Sequence, residues 1–205
     1  MFFYGRDLAA RTIGYDGETI DHYPTQTTEE QATWVALRTH LAQESKVGRY
    51  LDTRHTRYFI PMVMTTVNGR DGKPERKARP AVHNLIFVAL EQGVKQVRDI
   101  LKECPYYVYV YTKPNKPQEW CIIPDSDMID LRLICDLSFN EPKFVAAEEC
   151  ELKVGHTVRV THGPLKNITG KLIRKNKKYY LVRTFGDLGV MVSVSRWCCE
   201  AVEEP

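Results

Sequence analysis

Val82-His83-Asn84-Leu85-Ile86-Phe87-Val88-Ala89-Leu90 contains the longest uninterrupted apolar run of the chain, Leu85 to Leu90. That run is far short of the ~20 residues needed to span a bilayer, and it reads as a buried strand. Downstream, Val94, Val97, Ile100 and Leu101 recur at helical spacing up to Pro105, and Tyr106 to Tyr111 is a second strand of high β-propensity. After a loop over 112–121, Asp125-Ser126-Asp127 supplies capping residues ahead of Met128, Ile129, Leu131, Leu133 and Ile134, so a third helix begins near 126. Upstream, Trp34-Val35-Ala36-Leu37-Arg38 is a strand, and Val47, Tyr50 and Leu51 mark a helix over about 42–53. Gly48 inside that helix costs roughly 1 kcal/mol relative to alanine, so the helix must lean on packing. Arg57 to Met64 is a strand that Pro61 places at an edge or bulge. The turn-rich basic stretch from Asn68 to Pro80 reads as a long hairpin connection. The order β-α-β-β-α-β-α describes a ferredoxin-like α/β plait with an added helix, over residues 32–138.

The 205 residues leave room for more. Residues 1–31 are polar and acidic without a sustained period and read as a flexible leader, with neither a basic n-region nor an apolar h-region of a secretory signal. Residues 139–151 read as a linker. From 152 to 205 the text changes to short strands punctuated by glycine, which describes a small β-barrel of the SH3-like kind, so the fold class is α+β. Charge follows the same division. Residues 1–150 carry 19 Lys and Arg against 21 Asp and Glu, whereas 151–205 carry 10 against 5, which points to an anionic partner for the second part. The six cysteines show no Cys-x-x-Cys pair and read as reduced thiols, so the expected compartment is the cytoplasm and no metal is expected. The six histidines show no metal-ligand spacing, and neither Gly-x-Ser-x-Gly nor a phosphate-cradling glycine loop occurs. An enzyme is therefore not expected, nor any catalytic residue or cofactor.

Within the last segment, Gly155-His156-Thr157-Val158-Arg159-Val160 through Gly163-Pro164 to Gly170 resembles a KOW motif, with Gly155 and Gly163-Pro164 turning the chain, Val158 and Val160 on one side of a strand, and Gly170 permitting a bend. Trp34 to Thr39, Phe59-Ile60-Pro61-Met62, Arg79-Pro80, Asn84 to Val88 and Ile123 to Asp127 resemble, in order and spacing, the N-terminal (NGN) domain of NusG-type transcription elongation factors. The resemblance covers about 32–204, and the Asn84-x-x-Phe87-Val88 strand looks more like the specialised RfaH and UpxY paralogues, the latter acting as antiterminators of capsular-polysaccharide operons.

The resemblance implies a protein that rides on RNA polymerase and suppresses pausing and termination, binding the clamp helices of the largest subunit through an apolar concavity; a monomer is the default expectation. Carried over, that concavity takes Leu85 and Phe87, two residues apart and so on one sheet face, with Tyr107 and Tyr109 from the neighbouring strand and Arg38 where specialised relatives often carry an aromatic rim residue. Ile86 and Val88 then face the helices. Residue type alone would also make Phe87 ordinary core. Arg70, Lys73, Arg76, Lys77 and Arg79 form either a solvated hairpin or a contact with nucleic acid or polymerase. Lys46 and Arg49 lie on the polar side of the first helix and read either as a solvated surface or, where relatives with sequence specificity touch non-template DNA, as a nucleic-acid contact. Lys171, Arg174, Lys175, Lys177, Lys178 and Arg183, interleaved with Tyr179 and Tyr180, suit either RNA or a soluble edge. Nascent RNA, a ribosomal protein or a termination factor are further partners the family implies. A general elongation factor and a ribosome- or RNA-binding KOW protein without polymerase affinity stand as alternatives.

Overall fold

The computed structural model describes residues 12–13, 19–20, 33–68, 73–113, 116–137, 141–146, 155–185 and 188–202. Residues 1–30 and 31–205 form two units. In the first, β1 (Thr12–Ile13) and β2 (Thr19–Ile20) pair antiparallel; the rest of the stretch read as a leader lies outside the described residues.

The second unit begins with β3 (Thr33–Thr39), α1 (Glu44–Thr53), β4 (Tyr58–Phe59), β5 (Met62–Asn68), β6 (Pro74–Pro80), β7 (Leu85–Ala89), α2 (Val94–Glu103) and β8 (Val108–Val110). The hairpin β9 (Thr112–Lys113) and β10 (Lys116–Trp120) follows, then β11 (Ile122–Pro124) and α3 (Asp125–Ile134). Strands pair antiparallel in the order β11-β3-β7-β4, and β8 takes the edge of β3 beside β11. Both crossovers, through α1 and α2, lie over the same side, where Val47, Leu51, Val97 and Ile100 bury Val35, Leu37, Ile86 and Val88. This is the split β-α-β arrangement the sequence order predicts.

Local chemistry explains the departures in detail. Helix α1 starts at Glu44 rather than 42, because Leu41 and Ala42 both take positive φ (53° and 51°). Asn84 holds that loop: its Oδ1 accepts from the Ala42 amide at 2.7 Å, while its own amide donates to the buried Glu44 carboxylate. Gly48 has a packing reason, since a Cβ there would lie 3.0 Å from the Tyr58 ring. Pro61 splits the predicted strand into β4 and β5, as a residue without an amide donor does. The basic stretch is more than a connection. Its second half is strand β6, paired with β5 from Met62↔Pro80 to Asn68↔Pro74 in a two-stranded ribbon. At α3, no side chain caps the helix; Asp125, one of the presumed caps, instead accepts the Trp34 indole N–H at 2.7 Å.

The C-terminal strands are β12 (Lys143–Ala146), β13 (His156–Val160), β14 (Thr169–Lys175), β15 (Lys178–Phe185), β16 (Leu188–Val194) and, after a three-residue 3-10 turn, β17 (Cys199–Ala201). They form one antiparallel sheet ordered β12-β16-β15-β14-β13-β17, and among the described residues no sheet closes into a barrel. Closure would require the outer strands to pair with each other; instead β12, a strand drawn from the stretch read as linker, pairs with β16, and β17 pairs with β13. Apolar packing is continuous from the N-terminal sheet into this one: Trp34, Ala36, Leu85 and Phe87 belong to the same core as Val158, Leu181, Phe185 and Val190.

Candidate functional site

Because side chains alternate along a strand, register decides which residues share a face. Leu85 lies opposite Arg38, Phe87 opposite Ala36, and Ala89 opposite Trp34. Tyr109 lies opposite Arg38 from the other side, and Phe59 opposite Phe87, with the two rings stacked at 6.4 Å. Thus Arg38, Leu85, Phe87 and Tyr109 occupy one face, opposite to that covered by α1 and α2. Tyr107 joins them at the end of the sheet: its ring meets Tyr109 edge-on at 6.2 Å and His40 at the same distance.

This face has a centre and a rim. Leu85 and Phe87 are buried, at 5% and 1% exposure, whereas Tyr109 and Tyr107 are 42% and 71% exposed. The cover over the centre comes from the C-terminal sheet. Phe185 and Leu188 close a cavity of about 110 Å³ whose other walls include Ala36, Leu85, Phe87 and Ile123. Cys121 also lines it.

A charged contact stands beside the apolar one. Arg183, on the same face of β15 as Phe185, donates to Asp127 at 2.7 Å and to Asp130, both on α3, and its Nη1 also reaches the Thr169 carbonyl at 3.4 Å. Burial pushes the Asp130 carboxyl above its usual range, outweighing the downward pull of the Arg183 guanidinium. Helix α3 is held in turn by Trp34. Its indole binds Asp125, and the Arg132 guanidinium lies 5.3 Å from its ring.

Over residues 32–132 the chain matches the family model described as Transcription termination factor nusG. The match supports a NusG-type transcription factor. No curated protein matches the chain. The NusG-type segment takes in β3 through most of α3, so both the Leu85/Phe87 face and the two aspartates that hold Arg183 lie inside it, while Phe185 and Arg183 lie beyond it.

The basic residues of the NusG-type segment divide by face and partner. On the ribbon, Lys77 and Arg79 lie opposite Thr65 and Val63 on one side, and Arg76 lies opposite Thr66 on the other. Arg76 pairs with Glu141 at 2.9 Å and Lys77 with Glu75 at 3.0 Å. Lys73 and Arg79 are exposed and form no ion pair among the described residues; Arg70 lies outside those residues. On α1, Lys46 and Arg49 are exposed, and the Lys46 ammonium sits 6.0 Å from the Tyr106 ring centroid.

In the C-terminal sheet the glycines occupy close approaches. A Cβ on Gly155 would lie 2.7 Å from the Leu172 carbonyl oxygen, and one on Gly170 equally near that of Val182. Gly163, with φ of 86°, and Pro164 turn the chain after β13. Val158 and Val160 are buried and Arg159 between them is exposed.

Sequence reasoning missed Phe185 and Leu188 as a cover and read Arg183 only as one of a set of cations. The available signal was the β15 alternation Leu181, Arg183, Phe185, an arginine set between two apolar residues on one face. Cys104, Cys135, Cys198 and Cys199 are free thiols, and burial pushes that of Cys135 far up; Cys150 lies outside the described residues. Among the described residues no cluster of His, Cys, Asp or Glu could hold a metal, and no helix is long and apolar enough to cross a membrane.

Proposed function

We propose that the chain is a transcription elongation factor that docks on RNA polymerase through the Leu85/Phe87 face, with Arg38, Tyr107 and Tyr109 at its rim, and that it suppresses pausing and termination on particular operons. One observation carries this reading: the apolar sheet face that the family resemblance marks is the one the helices leave uncovered. In the arrangement seen here the C-terminal sheet occupies it, so this is a closed form, and docking requires that sheet to lift. The clamp helices of the largest polymerase subunit would then replace Phe185 and Leu188. Lys73 and Arg79, exposed and without an ion pair among the described residues, and Lys46 and Arg49 on α1, would meet nucleic acid beside the docked face. The KOW-like segment, once lifted, would be free for a ribosomal protein or a termination factor.

Operon specificity of the capsular-polysaccharide kind rests on the resemblance of the Asn84 to Val88 strand to the RfaH and UpxY paralogues; a general elongation factor differs from it only in recruitment. The test is capture by the tagged full chain, offered purified RNA polymerase and, separately, ribosomal subunits, followed by a terminator read-through assay. Polymerase capture with increased read-through supports the proposal. Capture of ribosomal subunits alone overturns it.

A further inference from the structure

We propose that the tip of the β14–β15 hairpin is a binding site for single-stranded nucleic acid, separate from the polymerase-docking face and independent of it. Lys175 pairs with Lys178, which leaves Asn176-Lys177 as a two-residue turn, and both residues take positive φ (51° and 62°). That is the backbone of a type I′ turn, whose second position glycine fills best, because a side chain there crowds its own backbone. A lysine at that position serves the turn poorly and projects a cation from its apex. Arg174, Lys175 and Lys178 flank it, so four cations fall within five residues. All four are exposed, and none forms an ion pair among the described residues. The ribbon is different, since Arg76 and Lys77 are already matched by Glu141 and Glu75.

The second observation is aromatic. Arg174 and Tyr179 lie directly opposite on one face of the hairpin, with the guanidinium carbon 5.7 Å from the ring centroid. A planar cation beside a half-exposed ring offers stacking area to an unpaired base, and the lysines around it reach phosphates on either side. A duplex hides its base faces in its own stack and cannot use that area. Stacking and phosphate contact do not read the sugar, so RNA and DNA single strands should both bind.

The test uses the purified full chain with oligouridine, oligothymidine and a duplex of equal length, titrated over a range of salt. Both single strands are expected to bind more tightly than the duplex. Lys175→Gln/Lys177→Gly/Lys178→Gln should lower the salt slope of log affinity by about 2, from three phosphate contacts at ~0.7 each. Lys177→Gly alone should weaken binding while leaving the melting temperature unchanged or higher, because glycine suits the turn; a purely structural role for Lys177 predicts no such split. Arg174→Lys keeps the charge but loses the planar group, and should weaken binding at an unchanged salt slope. Equal affinity for duplex, binding confined to one sugar type, or a triple variant that binds as the parent does would each overturn the proposal. Polymerase capture is measured on other residues, so its failure leaves this result standing.

Discussion

The two faces of the N-terminal sheet are both apolar and both buried, yet they are buried in different ways. One is covered by α1 and α2, which come from its own crossovers and bury Ile86 and Val88 as part of making the plait. The other is covered by β15 and β16, about a hundred residues later in the chain, and the seam contains a cavity of about 110 Å³ beside the ion pairs of Arg183. The contrast separates a contact made by the plait's own crossovers from one made by a later sheet, and it is the second that the proposed docking would displace.

The largest effect expected is at Ile86. Ile86→Ala should cost about 2–5 kcal/mol, because the plait cannot close the hole without losing its helices. Phe87→Ala removes a larger side chain, but its loss is limited by release of the C-terminal sheet. Hydrogen exchange should separate the two, with Ile86→Ala exposing the amides of α1 and α2 and Phe87→Ala exposing chiefly those of β15 and β16. Equal loss of protection in α1 and α2 for both variants would erase the distinction between the faces. A stability-neutral Phe87→Ala is not expected for a side chain this buried.

Next in size is Arg183→Ala, which strands Asp127 and Asp130 half-buried without their cation and should cost about 1–3 kcal/mol in urea unfolding. A change within the error of the fit would mean that the pair adds nothing to the seam.

The smallest effect is a pH dependence. Asp130 lies beside Arg183 and Asp127, and its folded carboxyl is held above the unfolded value, mainly by burial. The folded state then binds the proton more tightly, so its contribution to the seam is full below the ordinary carboxylate range and is lost as pH rises through the raised value. Asp130→Asn should remove that part of the slope of stability against pH between the two values. An unchanged slope would mean that Asp130 does not titrate in the seam.

How much of this was legible in the sequence follows from how local each cause is. That Leu85 and Phe87 share one face and Ile86 and Val88 the other followed from strand alternation, but which face the helices cover came from the family resemblance, since Leu85 to Ala89 is apolar and buried throughout. Both crossover helices were legible from their period of 3.6. Strand β6 was not, because both faces of the two-stranded ribbon are largely wet and Pro74-Glu75-Arg76-Lys77-Ala78-Arg79-Pro80 shows no alternation. Strand β12 was hidden by its brevity beside Glu141-Pro142. The cover over Leu85 and Phe87 was hidden because nothing near residue 87 records what residues 183–188 do. Only side-chain geometry joins Arg183 to Asp127 and Asp130, more than fifty residues away.

The most direct measurement is affinity for purified RNA polymerase in three forms of the full chain: the parent, Arg183→Glu, and Arg183→Glu/Phe87→Ala. Reversing the charge at residue 183 sets a carboxylate against two others and should favour the lifted sheet. The account predicts that Arg183→Glu binds polymerase about fivefold or more tightly than the parent, corresponding to about 1 kcal/mol of released cover, and that adding Phe87→Ala removes the binding. Arg183→Glu binding no better than the parent, or the double variant binding as well as Arg183→Glu, would contradict it.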